Sequence, residues 1–141
     1  MTPHLIRSPK LVLQAAIYTR ITTTVPALAT SFYAVPPLRA PFPFAEFGHY
    51  SARWNPQWMD GKHWDCVFVL GFHSQVDSTA EIDGLMDSAL QALTLTEIPL
   101  TDGWSIYQID LDGEERGQLA WDEFGPLHFG TLAIRFGIQD T

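Results

Sequence analysis

Among the side chains that could bind a metal ion or take part in catalysis, carboxylates form the clearest cluster in this sequence. They begin at the end of a predicted strand and continue through a polar, glycine-bearing stretch: Asp110, Asp112, Glu114, Glu115, Asp122 and Glu123. Carboxylate oxygens in an irregular loop could hold a hard cation, but these lack the regular spacing of a calcium-binding loop. The pattern favours an acidic loop that is solvated or lines an assembly over a metal site.

Nucleophiles and soft metal ligands are sparse. Cys66 is the single cysteine, and its apolar strand lacks the electropositive setting of a reactive thiol. The five histidines are isolated from one another, so a zinc site would need ligands from several strands: His4, His49, His63, His73 and His128. Phosphate-loop, nucleophile-elbow, zinc-protease and CxxC motifs are missing from the sequence. We therefore expect no catalytic, cofactor-binding or metal site, and a protein that is not an enzyme.

The overall charge limits the partners. Sixteen acidic residues against eight lysines and arginines give a formal net charge of −8. Such a surface repels phosphate, which disfavours nucleic-acid binding that relies on counterion release. An acidic wall past which DNA slides without adhering remains compatible with this composition.

The length predicts a single domain over residues 1–141, since a chain of this size can bury a substantial core. The longest apolar run, Cys66 to Leu70, is too short to cross a bilayer. The N-terminal residues lack an apolar block followed by a cleavage site, so we expect cytosolic synthesis without a signal peptide and no membrane partner.

One strand and one helix organise the prediction. From Trp64 to Phe72 both alternating sets of side chains are apolar in the middle, which indicates a central strand covered on both faces. Ser78 and Glu81 have the spacing of a capping box at a helix start. The helix that follows has one continuous apolar face, which predicts that it packs on the strand: Ile82, Leu85, Met86, Ala89, Leu90 and Leu93.

The remaining elements follow from proline positions and alternation. We predict a helix from Ser8-Pro9 to about Thr23, and strands at Ser31–Val35, Phe44–Trp54, Trp104–Leu111 and His128–Ile138. Within Trp104–Leu111, Ile106 is placed on one face and Tyr107, Ile109 and Leu111 on the other. A long polar excursion is expected after Leu111. The fold class predicted is α+β, with a mostly antiparallel four- to five-stranded sheet and two helices on one face.

Three tryptophans, Trp54, Trp58 and Trp121, fall in or beside polar, turn-rich segments. Exposed tryptophan is unfavourable unless it packs on something. Two interpretations stay open: these residues dock on a neighbouring subunit or partner, or they cover the edges of this domain's own core.

Five segments resemble a known family over nearly the whole chain. They are SPKLVLQAAIYTRI, the proline–aromatic strand opening Pro43–Gly48, WDCVFVLGFHSQVDSTAEIDGLMDSALQAL, GWSIYQIDLDGEER and HFGTLAIRFGI. The pattern is similar to that of the small tail-terminator or tail-completion proteins, the head–tail joining proteins of long-tailed bacteriophages and gene transfer agents. The tryptophan-rich turn and the acidic excursion depart from the family pattern.

The resemblance implies a structural protein without catalytic residues or cofactors. Its copies would form a closed, usually hexameric ring that caps the tail tube, docks the filled head and surrounds a DNA channel. The implied partners are the tail-tube protein and a head-completion or connector protein, with DNA passing through without specific binding. The implied location is the virion tail or neck, after synthesis in the host bacterial cytoplasm. Candidate interface or channel residues are Trp54, Trp58, Asp110, Asp112, Glu114, Glu115, Trp121, Asp122 and Glu123.

Two alternatives belong to other classes. A small α+β enzyme or ligand-binding domain would need polar residues converging between helices and sheet, and the second helix offers none on its apolar face. Another neck or tail-tube morphogenesis subunit of a phage would share most of the features above.

Overall fold

The computed structural model describes residues 6–55, 62–76, 78–119 and 126–140. These form two helices, a short 3-10 turn and five strands: α1 (Lys10–Thr24), the turn Pro26–Leu28, β1 (Phe32–Tyr33), β2 (Phe44–Asn55), β3 (His63–Ser74), α2 (Ala80–Thr94), β4 (Trp104–Leu119) and β5 (Leu127–Asp140). The predicted α+β class is confirmed.

The strands form one sheet in the order β1-β2-β3-β5-β4. β1 lies parallel to β2, and every other neighbouring pair is antiparallel. The sheet is therefore mostly antiparallel, and β3 occupies its centre as predicted.

Alternation along β3 and β5 creates the core. Phe68 lies opposite Ile134 and Leu70 opposite Leu132, and all four side chains are at most 1% exposed. Since side chains of a strand alternate between its faces, these residues share one face of the sheet. That face is the floor of the single hydrophobic core formed by the described residues.

Both helices cover this face. In α1, Leu13 and Ile17 are fully buried, and the Lys10 ammonium lies over the Tyr50 ring, whose strand partner is Phe68. α2 comes so close to β5 that a Cβ atom on Gly130 would overlap the Met86 sulfur. The missing side chain at Gly130 thus makes room for the Met86 side chain.

The apolar face of α2 is buried largely as predicted, with Leu90 half-buried and Ala92 added to the buried set. The predicted capping box does not form. Thr79 is the N-cap residue, and no side chain caps the helix. The Ser78 hydroxyl accepts from the Ala80 amide, while the Glu81 carboxylate accepts from the buried Ser74 hydroxyl at 2.7 Å. Glu81 thus links the helix to β3 instead of to its own first turn.

β4 corrects two predictions. The strand does not end near Leu111 but continues to Leu119, paired with β5 throughout, so its part of the expected polar excursion is regular structure. A register shift between Ile106 and Gln108 places Ile106 opposite Ile138 and Ile109 opposite Phe136. Ile109 therefore faces the helices together with Ile106, because one extra residue in a strand reverses the alternation after it.

The prediction that β3 is covered on both faces is wrong. Val67 and Val69 are only half-buried, and the cleft beside Val67 is lined by strand residues alone. Among the described residues no helix covers this face, so the central strand is buried on one face and open on the other.

The described residues share one sheet and one core, from which we infer a single domain. Within the same residues, neither helix has the length and hydropathy needed to span a membrane.

Replacing Leu93 by alanine tests the packing of α2. Leu93 is fully buried, whereas Leu95, at the end of the same helix, is 81% exposed. We expect Leu93→Ala to lower the free energy of unfolding by about 2–5 kcal/mol, because it removes buried methyl groups and leaves a cavity. Leu95→Ala should change it by less than about 0.5 kcal/mol. Denaturant unfolding measures both, and equal losses would show that the face of α2 is misassigned.

Candidate interface and channel residues

The acidic cluster lies on the outermost strand of the sheet. Asp110, Asp112, Glu114 and Glu115 belong to β4 and are all exposed. Register assigns their faces: Asp110 lies opposite Arg135 and Glu115 opposite Thr131, on the face away from the helices. A second register shift, between Leu111 and Gly113, returns Glu114 to the helix face, opposite Leu132. The cluster thus borders both faces of one sheet edge.

Three of these carboxylates have partners. Asp112 accepts a 3.0 Å hydrogen bond from the Arg135 guanidinium, Asp110 accepts one of 2.6 Å from the Gln108 amide, and Glu114 lies 3.5 Å from the Arg116 guanidinium. Glu115 forms no hydrogen bond or ion pair with the described part of the chain. Since all are exposed, these pairs contribute little to stability and leave the edge acidic.

Arg116 ties this edge to the helix layer. Its guanidinium donates to the Asp83 carboxylate of α2. That hydrogen bond, with the charges of Glu114 and Asp83, raises the Arg116 pKa above its ordinary value. The contact joins β4 to α2 at the surface, with both side chains partly in solvent.

Trp54 lies at the opposite side of the sheet, in β2, with 37% of its surface exposed. It is directly opposite Trp64 of β3. Three strand spacings of about 4.8 Å separate β2 from β4, or roughly 15 Å. Within one subunit the structure therefore does not bring Trp54 and the acidic cluster together. The other predicted candidates, Trp58, Trp121, Asp122 and Glu123, lie outside the described residues.

Two grooves of the described residues differ in polarity: a cleft on the open face of the sheet is lined by Arg53, Asp65 and Arg135, whereas the groove beside α1 has no converging acid–base groups. A groove of about 380 Å³ between α1 and residues 98–101 is mainly apolar, and Arg20 is the only ionisable side chain that lines it. Arg20 already donates to the carbonyl oxygens of Ala92, Thr96 and Glu97, which close the end of α2. Among the described residues, no three histidine, cysteine or carboxylate side chains are arranged to hold a metal ion.

Cys66 is fully buried in the core. Burial raises the pKa of its thiol to about 11, and the nearby Asp65 charge acts in the same direction. The Tyr50 hydroxyl lies 3.5 Å from the sulfur, and burial likewise raises the Tyr50 pKa. A protonated, enclosed thiol is a poor nucleophile, as its strand position predicted.

Sequence reasoning did not select Arg53, which stands beside Trp54 in β2 and is exposed. It forms no ion pair with the described residues. A basic residue in an alternating strand carries no signal by itself, because most such residues are simply solvated. Its significance depends on knowing that β2 lies near one end of the sheet.

Comparison with known proteins shows similarity in fold but not in sequence. No family model matches the chain, and no curated protein is significantly similar to it. A chain in the structure of the virion of a native gene transfer agent (GTA) particle matches with a TM-score of 0.77 at 16% identity, covering 95% of this chain and 99% of that chain. The bacteriophage SPP1 gp17 protein matches with a TM-score of 0.56 at 18% identity, covering 89% of this chain and 88% of that chain. The chain thus has the fold that the family resemblance implied.

The buried thiol gives a prediction about pH. A group whose pKa is raised by folding binds its proton more tightly in the native state, so stability is lost as pH rises through the folded pKa. We expect the free energy of unfolding to fall between about pH 9 and pH 11, by on the order of 2 kcal/mol more than in Cys66→Ala. Unfolding curves across this range measure the difference.

A thiol reagent supplies the control. Native protein at pH 8 should react slowly, and protein unfolded in denaturant should react at once. Parallel pH profiles for Cys66→Ala and the unmodified protein, or rapid native labelling, would contradict the buried placement.

Proposed function

We propose that this chain is a structural subunit of a phage or phage-like particle, a tail-terminator or tail-completion protein that forms a ring at the head–tail junction. The observation that carries the proposal is the nearly end-to-end fold match to a chain of a gene transfer agent virion, covering 95% of this chain and 99% of that one.

The site geometry supports assembly over catalysis. Exposed charged and aromatic side chains lie at the two sides of the sheet, whereas the groove beside α1 is apolar and open. Surfaces of this kind contact other proteins, while a small-molecule site needs a concave pocket with a few converging polar groups. The alternative of an enzyme or ligand-binding domain has no comparable support.

In the proposed ring, the β4 carboxylates lie along the channel or the adjoining subunit edge. Asp110, Asp112 and Glu115 border the sheet face that no described helix covers. Together with the formal charge of −8, they would repel phosphates and let DNA pass without specific binding. Acidic side chains at this position suit a conduit better than a nucleic-acid-binding surface.

The finer assignment follows the family resemblance. The ring is proposed to be hexameric, to cap the tail tube and to dock the filled head. Its partners are then further copies of itself, the tail-tube protein and a head-completion or connector protein. The location is the virion tail or neck, after synthesis in the host bacterial cytoplasm. Another neck or tail-tube subunit is the nearest rival, because it would share the fold and the assembly.

Mass in solution tests the ring. Light scattering of the purified protein should give six copies of the 15.8 kDa chain, and negative-stain images should show closed rings. If the protein is monomeric alone, the same imaging with purified tail tubes should show a ring at one tube end. A protein that stays monomeric at its highest soluble concentration and leaves tubes uncapped contradicts the proposal.

Charge reversal tests the channel wall. We expect Asp110→Lys combined with Glu115→Lys to fold normally, because exposed charges contribute little to stability. The variant protein, as free subunit or as ring, should bind duplex DNA, with a logarithmic salt slope of about 0.9 for each phosphate contacted. Titration of labelled DNA at several salt concentrations measures this.

The matched control reverses two exposed carboxylates of the helix layer, Asp87→Lys with Glu97→Lys. It has the same net charge as the β4 variant but leaves the β4 carboxylates in place. Equal DNA binding by both variants would show that net charge alone matters and that β4 does not line the channel.

A further inference from the structure

The sheet is open at both ends. β4 pairs with β5 on one side only. β1 reaches just Ala45 and Glu46 of β2, so after a bulge at Gly48 and His49 the residues Tyr50 to Arg53 pair with β3 only. No described residue covers the outer side of either segment. Long unpaired edges present backbone donors and acceptors that can bind another strand.

The open part of β2 is also exposed on both faces. Ser51, Ala52 and Arg53 are all exposed, although Ala52 lies opposite the fully buried Cys66. The core therefore ends beneath β3 at this level, and β2 extends beyond it. A strand that projects from its own core has surface available on each face for a neighbour.

The two edges differ in charge. From Gln108 to Gln118, β4 carries four carboxylates and one guanidinium, whereas Gly48–Arg53 has no acidic residue and contains Arg53. Pairing of two β4 edges would oppose like charges, which destabilises directly facing residues. The β4 edge is bulged at two points and β2 at one, a feature that limits non-selective pairing. The complementary combination is β4 with β2.

We propose that β4 of one copy pairs with the Gly48–Arg53 segment of the next, so that the sheets of the ring join edge to edge. This inference rests on the proposed function and specifies its subunit contact. The contact is head-to-tail, which closes into a ring when the rotation between copies permits. Main-chain hydrogen bonds supply affinity, and the opposite charges select the partner edge.

The direction of pairing follows from the topology. β2, β3, β5 and β4 are successively antiparallel, so β2 and β4 of one sheet run in opposite directions. Rotation about the ring axis does not reverse the direction of any strand along that axis, so equivalent strands of all copies run in the same direction. The joined strands are therefore antiparallel, and β2 of one copy lies beside β4 of the next, although the two strands are roughly 15 Å apart within a subunit.

Paired cysteine substitutions test the contact in the assembled protein. Ser51→Cys is combined in turn with a cysteine at each position from Gln108 to Arg116, and the ring is oxidised. A disulfide needs Cα atoms within about 7 Å, so a bond within one chain is impossible and a bond between chains requires facing residues. We expect one β4 position to give a ladder of linked chains, at least tenfold above Ser51→Cys with Asp87→Cys.

Moving the cysteine of β2 by one residue shows whether the joined strands are parallel or antiparallel. With Ala52→Cys in place of Ser51→Cys, the best β4 partner should move one residue towards the N-terminus, since the pairing is antiparallel. A move towards the C-terminus overturns the antiparallel assignment. Buried Cys66 gives a low background.

A charge exchange tests the selection. Arg53→Glu should weaken association at least tenfold, because it opposes carboxylates to the acidic edge. Adding Asp110→Lys and Glu115→Arg should restore it. The matched control is Arg39→Glu, which makes the same change in an exposed connection outside both edges. Equal effects of Arg53→Glu and Arg39→Glu overturn the proposed edge.

The outcomes separate the two proposals. Ring-sized particles that give no ladder at any β4 position overturn the strand pairing and leave the ring intact. A protein that stays monomeric both alone and with tail tubes overturns the ring and, with it, this contact.

Discussion

The antiparallel ladder between β3 and β5 is the constraint on which the other features depend. It runs without a register shift from His63 opposite Gln139 to Ser74 opposite His128. Because both strands keep their alternation along its whole length, every apolar residue of the buried set falls on one face. A slip of one residue between the strands would turn either Phe68 or Ile134 to the open face and disrupt the floor on which both helices pack.

The length of β5 also explains why the acidic stretch after Leu111 forms a regular strand. β5 offers a second edge to β4, and β4 pairs along it to Leu119. Residues such as Glu114 and Glu115 have no apolar surface to bury, so their order comes from backbone hydrogen bonds to β5 and from the contact of Arg116 with Asp83. The carboxylates are consequently held in fixed positions at a sheet edge, which is the arrangement that a channel wall or a subunit contact requires.

The same sheet explains why the subunit is suited to assembly. Its helices cover one face and leave the other uncovered by described elements. Among the described residues, the outer side of β4 and most of the outer side of β2 have no strand partner. In a protein that acts alone, such edges are a liability. In the proposed ring, the acidic charge of one edge and its absence from the other make the contact between copies directional.

The local sequence pattern was sufficient to predict many of the secondary-structure elements and the fold class. The helices, the strand alternation of β5, the burial of Cys66 and the α+β class depend on near neighbours in sequence and on the period of apolar residues, which the sequence states directly. Tertiary structure decided the rest. Glu81 bonds to Ser74 because β3 ends beside the helix start, and the bulge at Tyr107 turns Ile109 inward because β5 sets the register. The candidate residues are divided between two edges only by the order of strands in the sheet. Strand order and register depend on contacts between residues far apart in the chain, and no local pattern of side chains specifies them.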